Sequence, residues 1–204
     1  MAIVRPRAVS VEEYKAAGHN VKPEVPPDCP TCGEAMIFWS GYERDVRIAF
    51  DPDAPSCQRY ARIWIPRVHC ERCEITPGLL PAFCLSRRLD EVGVIGATLA
   101  AVAAGGPVAA AAAMQAVPRS TAKGWTSRFA EAAHAIAARF ASVAISLGSG
   151  PFDLSAQPLT AAVEAIGRAF DAAMKRLAGN VVGVWRFVVV VSGGALLATN
   201  RSPP

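Results

Sequence analysis

Four cysteines carry the clearest chemistry in this 204-residue chain: Cys29 and Cys32 in CPTCG, and Cys70 and Cys73 in CERC. Each C-x-x-C puts two sulfurs on one tight turn, where both reach a single ion at about 2.3 Å, and two such turns complete a tetrahedron. The spacing therefore points to one zinc ion. Gly33, directly after the first pair, frees the backbone for the left-handed conformation such a turn wants. The 37 residues between the pairs exceed the usual interval of roughly 15 to 20, so the hairpin between them must be long or carry an insertion. Four thiolates leave no coordination position open to water or substrate, so this zinc would be structural, and the ribbon around it would unfold without it. The other reading of the four is a redox pair or unrelated buried cysteines. His69 adjoins Cys70, but adjacent residues on an extended chain point apart; Cys57 and Cys84 read as small apolar residues.

A second set of candidates lies near Pro118. Arg119, Ser120, Thr121, Lys123 and Arg128 gather at one helix start and along its exposed face, while Ala122, Trp125, Phe129, Ala133, Ile136 and Phe140 form the buried stripe of that helix. A basic helix start suits phosphate, because free N–H groups and the helix dipole add to the side-chain charge. Arg119 could read guanine bidentately, with Ser120, Thr121 and Lys123 on phosphates. Gly124 inside the helix costs about 1 kcal/mol relative to alanine. The bland alternative is a plain helical bundle with a solvated basic face.

The elements that must position these groups change character along the chain. Residues up to Pro27 read as an arm or lead-in strand with a turn of helix near Val11 to Ala17. From Cys29 to about Pro81 the pattern is of strands and turns: Ile37, Phe38 and Trp39 before a Ser40-Gly41 turn, then alternation at Val46, Ile48 and Phe50, a loop from Asp51 to Ser56, and a strand through Tyr60 to Ile65. Beyond Leu89 the period is helical. Leu89, Val92, Ile95, Leu99 and Val102 make one stripe, Gly105-Gly106-Pro107 ends it, a short alanine-rich helix covers about Val108 to Gln115, and Val117-Pro118 turn into the helix at Arg119. Three consecutive helices with a short turn before the last fit a helix-turn-helix. A fourth pattern from Pro158 holds Leu159, Val163, Ile166, Phe170, Met174 and Leu177 in register. The expected fold is α+β: an arm over 1–28, a β-rich zinc ribbon over 29–88, a helix-turn-helix bundle over 89–147 and a helical, apolar segment over 148–204.

Composition sets broader bounds. Hydrophobic residues make up 52% of the chain, enough for a real core, but much of that is alanine, so the helices must be held by close packing and a few large anchors such as Trp125, Phe129, Trp185 and Phe187. The net charge of +4 is unevenly spread: twelve basic and twelve acidic residues run through Asp90, and nine basic against five acidic follow. No apolar run of signal-peptide length follows Met1, which places the chain in the cytoplasm and, with four of its six cysteines in two C-x-x-C pairs, favours metal over disulfides for those four.

Taken together, CPTCG, WSGYERDVR, RVHCERC with the following TPGLLPAF, and PRSTAKGWTSRF resemble uncharacterised bacterial proteins that join a zinc ribbon to a helix-turn-helix and accompany insertion-sequence transposases. The likeness runs from about Tyr14 to Phe140, with a fainter echo in SGGALLATN. It implies a DNA-binding accessory or regulator of a transposon, with Cys29, Cys32, Cys70 and Cys73 as metal ligands and Thr121 and Trp125 at positions of the helix motif. The chain departs from that pattern at Pro77, where histidine is usual, and at Ala122 and Gly124, where larger residues are.

An enzyme is not expected. After Glu91 only Glu131, Asp153, Glu164 and Asp171 remain as carboxylates, in helical surroundings rather than on a sheet that could hold two metal ions, and no phosphate loop or nucleophile and base pair is evident. Val181 to Thr199 has the length of a membrane span, yet Arg186 sits inside it; a buried element packing on the Pro158 to Ala178 helix fits better, or a dimer interface if it faces solvent. The expected partners are thus duplex DNA, a transposase and a second copy of the chain, with no membrane. The rival function is a protein-interaction module that docks on a transposase without reading DNA.

Overall fold

The computed structural model describes residues 2–5, 9–48, 60–177 and 183–197. Cys57, the Asp51 to Ser56 loop and both ends of the Val181 to Thr199 run lie outside them. Four strands, β1 (Ala2–Arg5), β2 (Ile37–Arg47), β3 (Tyr60–His69) and β4 (Gly78–Pro81), form one sheet in the order β1-β4-β3-β2, with β1 parallel to β4 and the β2–β3 hairpin antiparallel. Among the described residues seven α-helices accompany it: α1 (Val11–Ala17), α2 (Val92–Ala103), α3 (Val108–Met114), α4 (Arg119–Glu131), α5 (Ala133–Ser146), α6 (Pro158–Arg176) and α7 (Val184–Val191).

Local chemistry explains several boundaries. Ser10 opens α1 through a capping box: its hydroxyl accepts from the Glu13 N–H, and Glu13 accepts from the Ser10 N–H at 2.7 Å. Pro158 occupies the first turn of α6, where its missing N–H has no partner to lose. The first turn of α6 also closes the end of α2, since the Thr160 hydroxyl donates to the Ala103 carbonyl at 2.9 Å.

The structure differs from the sequence expectation at several places. Ser40 and Gly41 make no turn; they lie inside the continuous strand β2, and the irregularity is a bulge between Phe38 and Ser40. Gly41 is there because the Trp64 indole crosses it, leaving no room for a Cβ. Strand β4 escapes the alternation pattern because it is four residues long, buried throughout and bounded by prolines. Leu89 stands outside the α2 stripe and is 54% exposed, whereas Val92, Ile95 and Leu99 are buried. The stripe expected on one helix from Arg119 is divided between α4 and α5 at Ala132, although the Ala132 N–H still donates to Arg128 and every expected position from Ala122 to Phe140 is buried.

Three apolar cores result. The largest joins α2 to α7 around Trp125, Phe129, Ile136 and Phe140. Its α5–α6 seam is lined by Ala133, Ala137 and Ala144 facing Ala161, Ala162, Ala165 and Ala169, with Ile166. Small side chains let the two backbones approach, so Leu159, Val163, Phe170 and Met174 sit at the flanks and Leu177 is 50% exposed. Helix α7 packs on α6, as expected of this apolar run, with Phe187 against Phe170 and Phe140 at 6.0 and 6.2 Å. No described helix is long and apolar enough to cross a membrane. A second core lies between α1 and the sheet, and a third, small one surrounds Cys29 and Cys70.

Arginines staple the sheet to the helices. Arg44 donates to the carbonyls of Leu85 and Arg88, and Arg47 pairs with buried Asp90 at 3.3 Å while its backbone bonds Leu89 and Glu91. Arg186 donates to the Val9 carbonyl at 2.8 Å and to Glu91 at 3.4 Å, with its guanidinium 5.7 Å from the Phe83 ring.

Candidate metal centre

The two C-x-x-C segments fold into near copies of one turn. In the first, the Cys29 N–H donates to the Glu34 carbonyl at 2.7 Å and the chain turns at Gly33, φ +77°. In the second, the Cys70 N–H donates to the Ile75 carbonyl at 3.0 Å and the chain turns at Glu74, φ +55°. Glu74 thus holds, with a side chain, the left-handed position that glycine fills in the first turn, a conformation that a Cβ disfavours.

Strand β3 carries the second turn into register with the first. Its last residue, His69, pairs with Ile37 at the start of β2, so the hairpin ends meet despite the long interval. The sulfurs of Cys29, Cys32, Cys70 and Cys73 all lie within 4.8 Å of one another, with Cys32 and Cys70 3.6 Å apart. A tetrahedral ion with bonds of about 2.3 Å spaces its ligands by about 3.8 Å. None of these cysteines is in a disulfide. The cluster can therefore bind a metal ion. Met36, Val68 and Leu79 back it on the protein side, where Cys29 and Cys70 are buried; Cys32 and Cys73 reach partway to solvent.

The cluster also distributes protons unevenly. Burial pushes Cys29 up, but N–H groups of Cys32 and Thr31 and the neighbouring thiols hydrogen-bond its sulfur and bring it down from 9.0 to about 6. Cys73 goes the other way, to about 12, through the Cys32 sulfur and burial. Metal ligation needs thiolates, so a bound cation must displace the protons these sulfurs carry. His69 takes no part: its Nδ1 lies 3.2 Å from the Thr76 hydroxyl. Cys84 is fully buried in the second core, where burial pushes its thiol up to about 12.

The other candidate residues sit on α4. The turn before it runs through Ala116 at φ +47°, buried Val117 and Pro118. Pro118 offers no capping side chain, and its carbonyl accepts from the Thr121 and Ala122 N–H groups at 3.0 and 3.1 Å, so the Arg119 and Ser120 N–H groups are the ones left open at the start of α4. Arg119, Ser120 and Lys123 are exposed together at that end, with Ala122, Trp125 and Phe129 on the buried side against α2 and α3. Thr121 is half-buried. Arg128 is drawn away, its guanidinium donating to the Gly124 carbonyl at 2.9 Å, and Gly124 leaves the helix continuous.

Sequence reasoning missed Glu74 and the arginine staples. Nothing in residue type or spacing distinguishes Arg88, which donates to the Leu197 carbonyl, or Arg139, which donates to Val191, from a solvated arginine. Comparison of the chain with protein-family models, with curated proteins and with solved structures finds no match in any of the three.

Proposed function

We propose that this chain is a non-enzymatic DNA-binding protein whose N-terminal half is a ribbon held by one structural zinc ion at Cys29, Cys32, Cys70 and Cys73. Helices α2, α3 and α4 act as a helix-turn-helix, with α4 as the reading helix. The observation that supports this best is the start of α4: the uncapped N–H groups of Arg119 and Ser120 and the exposed side chains of Arg119, Ser120 and Lys123 share one end of a helix whose opposite side is buried. Charge, dipole and free donors there all favour phosphate. Arg119 reads a base edge, and Ser120, Thr121 and Lys123 hold the backbone. The resemblance to transposase-associated proteins suggests the ends of a mobile element as the target and a transposase as the partner.

Gel-shift of the zinc-loaded chain on duplex DNA flanking its own coding region tests this reading. Binding should weaken as salt rises, with a log–log slope of about −0.9 per phosphate contacted. Arg119→Ala with Lys123→Ala should abolish retention while leaving zinc content and helical signal unchanged. Undiminished binding by that variant, or none by the wild type, would remove α4 from the interface.

A further inference from the structure

The bulge in β2 turns one large side chain outward. Phe38 pairs with Val68 and Ser40 with Arg67, so Trp39 is the extra residue between them. Phe38 packs into the small core beside Cys29 and Cys70, whereas Trp39 is 63% exposed and leans on the His69 ring at 5.1 Å. Ile37, opposite His69, is 44% exposed. A bulge commonly re-aims a side chain, and an exposed tryptophan beside an exposed isoleucine adds little to the fold but suits an interface.

The charge around this surface selects the partner. Segments 22–36 and 70–76, which build the metal end of the hairpin, hold five exposed carboxylates, Glu24, Asp28, Glu34, Glu71 and Glu74, against Lys22 and Arg72, while the neighbouring Arg67 of β3, opposite Ser40, is turned to the Thr76 carbonyl at 3.3 Å. Both cations are engaged, Lys22 over the Phe38 ring at 5.7 Å and Arg72 on Glu34 at 3.1 Å. Glu24, Asp28, Glu71 and Glu74 have no ion pair among the described residues. Four thiolates on a divalent cation leave further negative charge at the same end. A nucleic acid is repelled by such a surface; a cation is drawn to it and to the face of an indole.

We infer that the Ile37–Trp39–His69 surface docks a lysine- or arginine-bearing segment of another protein, with a cationic group over the Trp39 indole, its methylenes against Ile37 and the surrounding carboxylates as counter-charge. This rests on the metal-loaded ribbon proposed above but not on DNA binding by α4.

Fluorescence anisotropy of the zinc-loaded full chain tests it, using a labelled arginine–alanine peptide, a glutamate–alanine peptide of equal length and a single-stranded oligonucleotide. The arginine peptide alone should bind. Trp39→Ala should weaken it about tenfold, the order of one desolvated cation–π contact, and Trp39→Phe should retain most of the affinity. Glu71→Gln with Glu74→Gln should weaken it without touching the aromatic ring. Arg119→Ala with Lys123→Ala should leave peptide binding intact, so failure of the DNA reading shows separately. Equal affinity in wild type and both the Trp39→Ala and the glutamine variants, no peptide binding by zinc-loaded wild type, or preference for the single strand would overturn the proposal.

Discussion

Around Cys29 and Cys70 the buried apolar residues are few, Met36, Val68 and Leu79 beside the cysteines themselves; around Phe129 and Phe140 the core runs through six helices and two alanine-lined faces. The first region buries little apolar area against the entropy of ordering its turns, so on the proposed reading its shape depends on bonds to an ion. The second buries far more, because close helix packing recovers in contact area what each alanine lacks in size. The same contrast appears in charge. The cysteine end is acidic and shows the exposed Trp39, whereas the start of α4 is basic and polar. One fold thus presents two surfaces of opposite charge.

The difference can be broken most sharply at the metal. Cys70→Ser, or chelation, removes a contribution of about 10 kcal/mol of the kind structural zinc provides; the hairpin end should lose its fixed side-chain signals in near-ultraviolet circular dichroism while most of the helical far-ultraviolet signal persists. Phe129→Ala does the converse. It should cost about 3 to 5 kcal/mol in denaturant unfolding and leave zinc stoichiometry unchanged.

Arg186→Ala probes the junction, since it leaves the Val9 carbonyl and Glu91 without their partner. A loss of about 1 to 3 kcal/mol is expected, read as a lower midpoint at constant metal content. Glu74→Gly removes the Cβ at a left-handed position and should stabilise the metal end by up to about 1 kcal/mol, visible as slower zinc loss to a chelator. The smallest effect concerns acid. Arg62 beside Asp45 holds that carboxyl below its ordinary 3.8. A lowered folded-state pKa means stability that is present above the ordinary value and lost as pH falls through the carboxylate range. Because the pair is exposed, the midpoint-against-pH curve of Asp45→Asn should be only slightly flatter than wild type as pH falls through that range.

Much of this was legible in the residues. The C-x-x-C pairs announced the cluster because two sulfurs per turn is a local property, and three-to-four-residue periods announced the helices for the same reason. What escaped depends on pairing between distant segments. Gly41 resembles a turn until Trp64 is brought across it, and β4 resembles a loop until β1 and β3 supply its partners. The large residues of α6 looked like its buried stripe, but an alanine seam with α5 moved them to its edges. Trp39 could not be known as exposed before the bulge shifted its register.

The most direct test of the central claim is the metal content and coordination of the purified chain. Cobalt substitution should give the absorption of a tetrahedral four-thiolate site, at one ion per chain, and be lost on replacing Cys29, Cys32, Cys70 or Cys73. A chain that binds no ion when reduced, or whose four sulfurs pair as disulfides, would contradict the account.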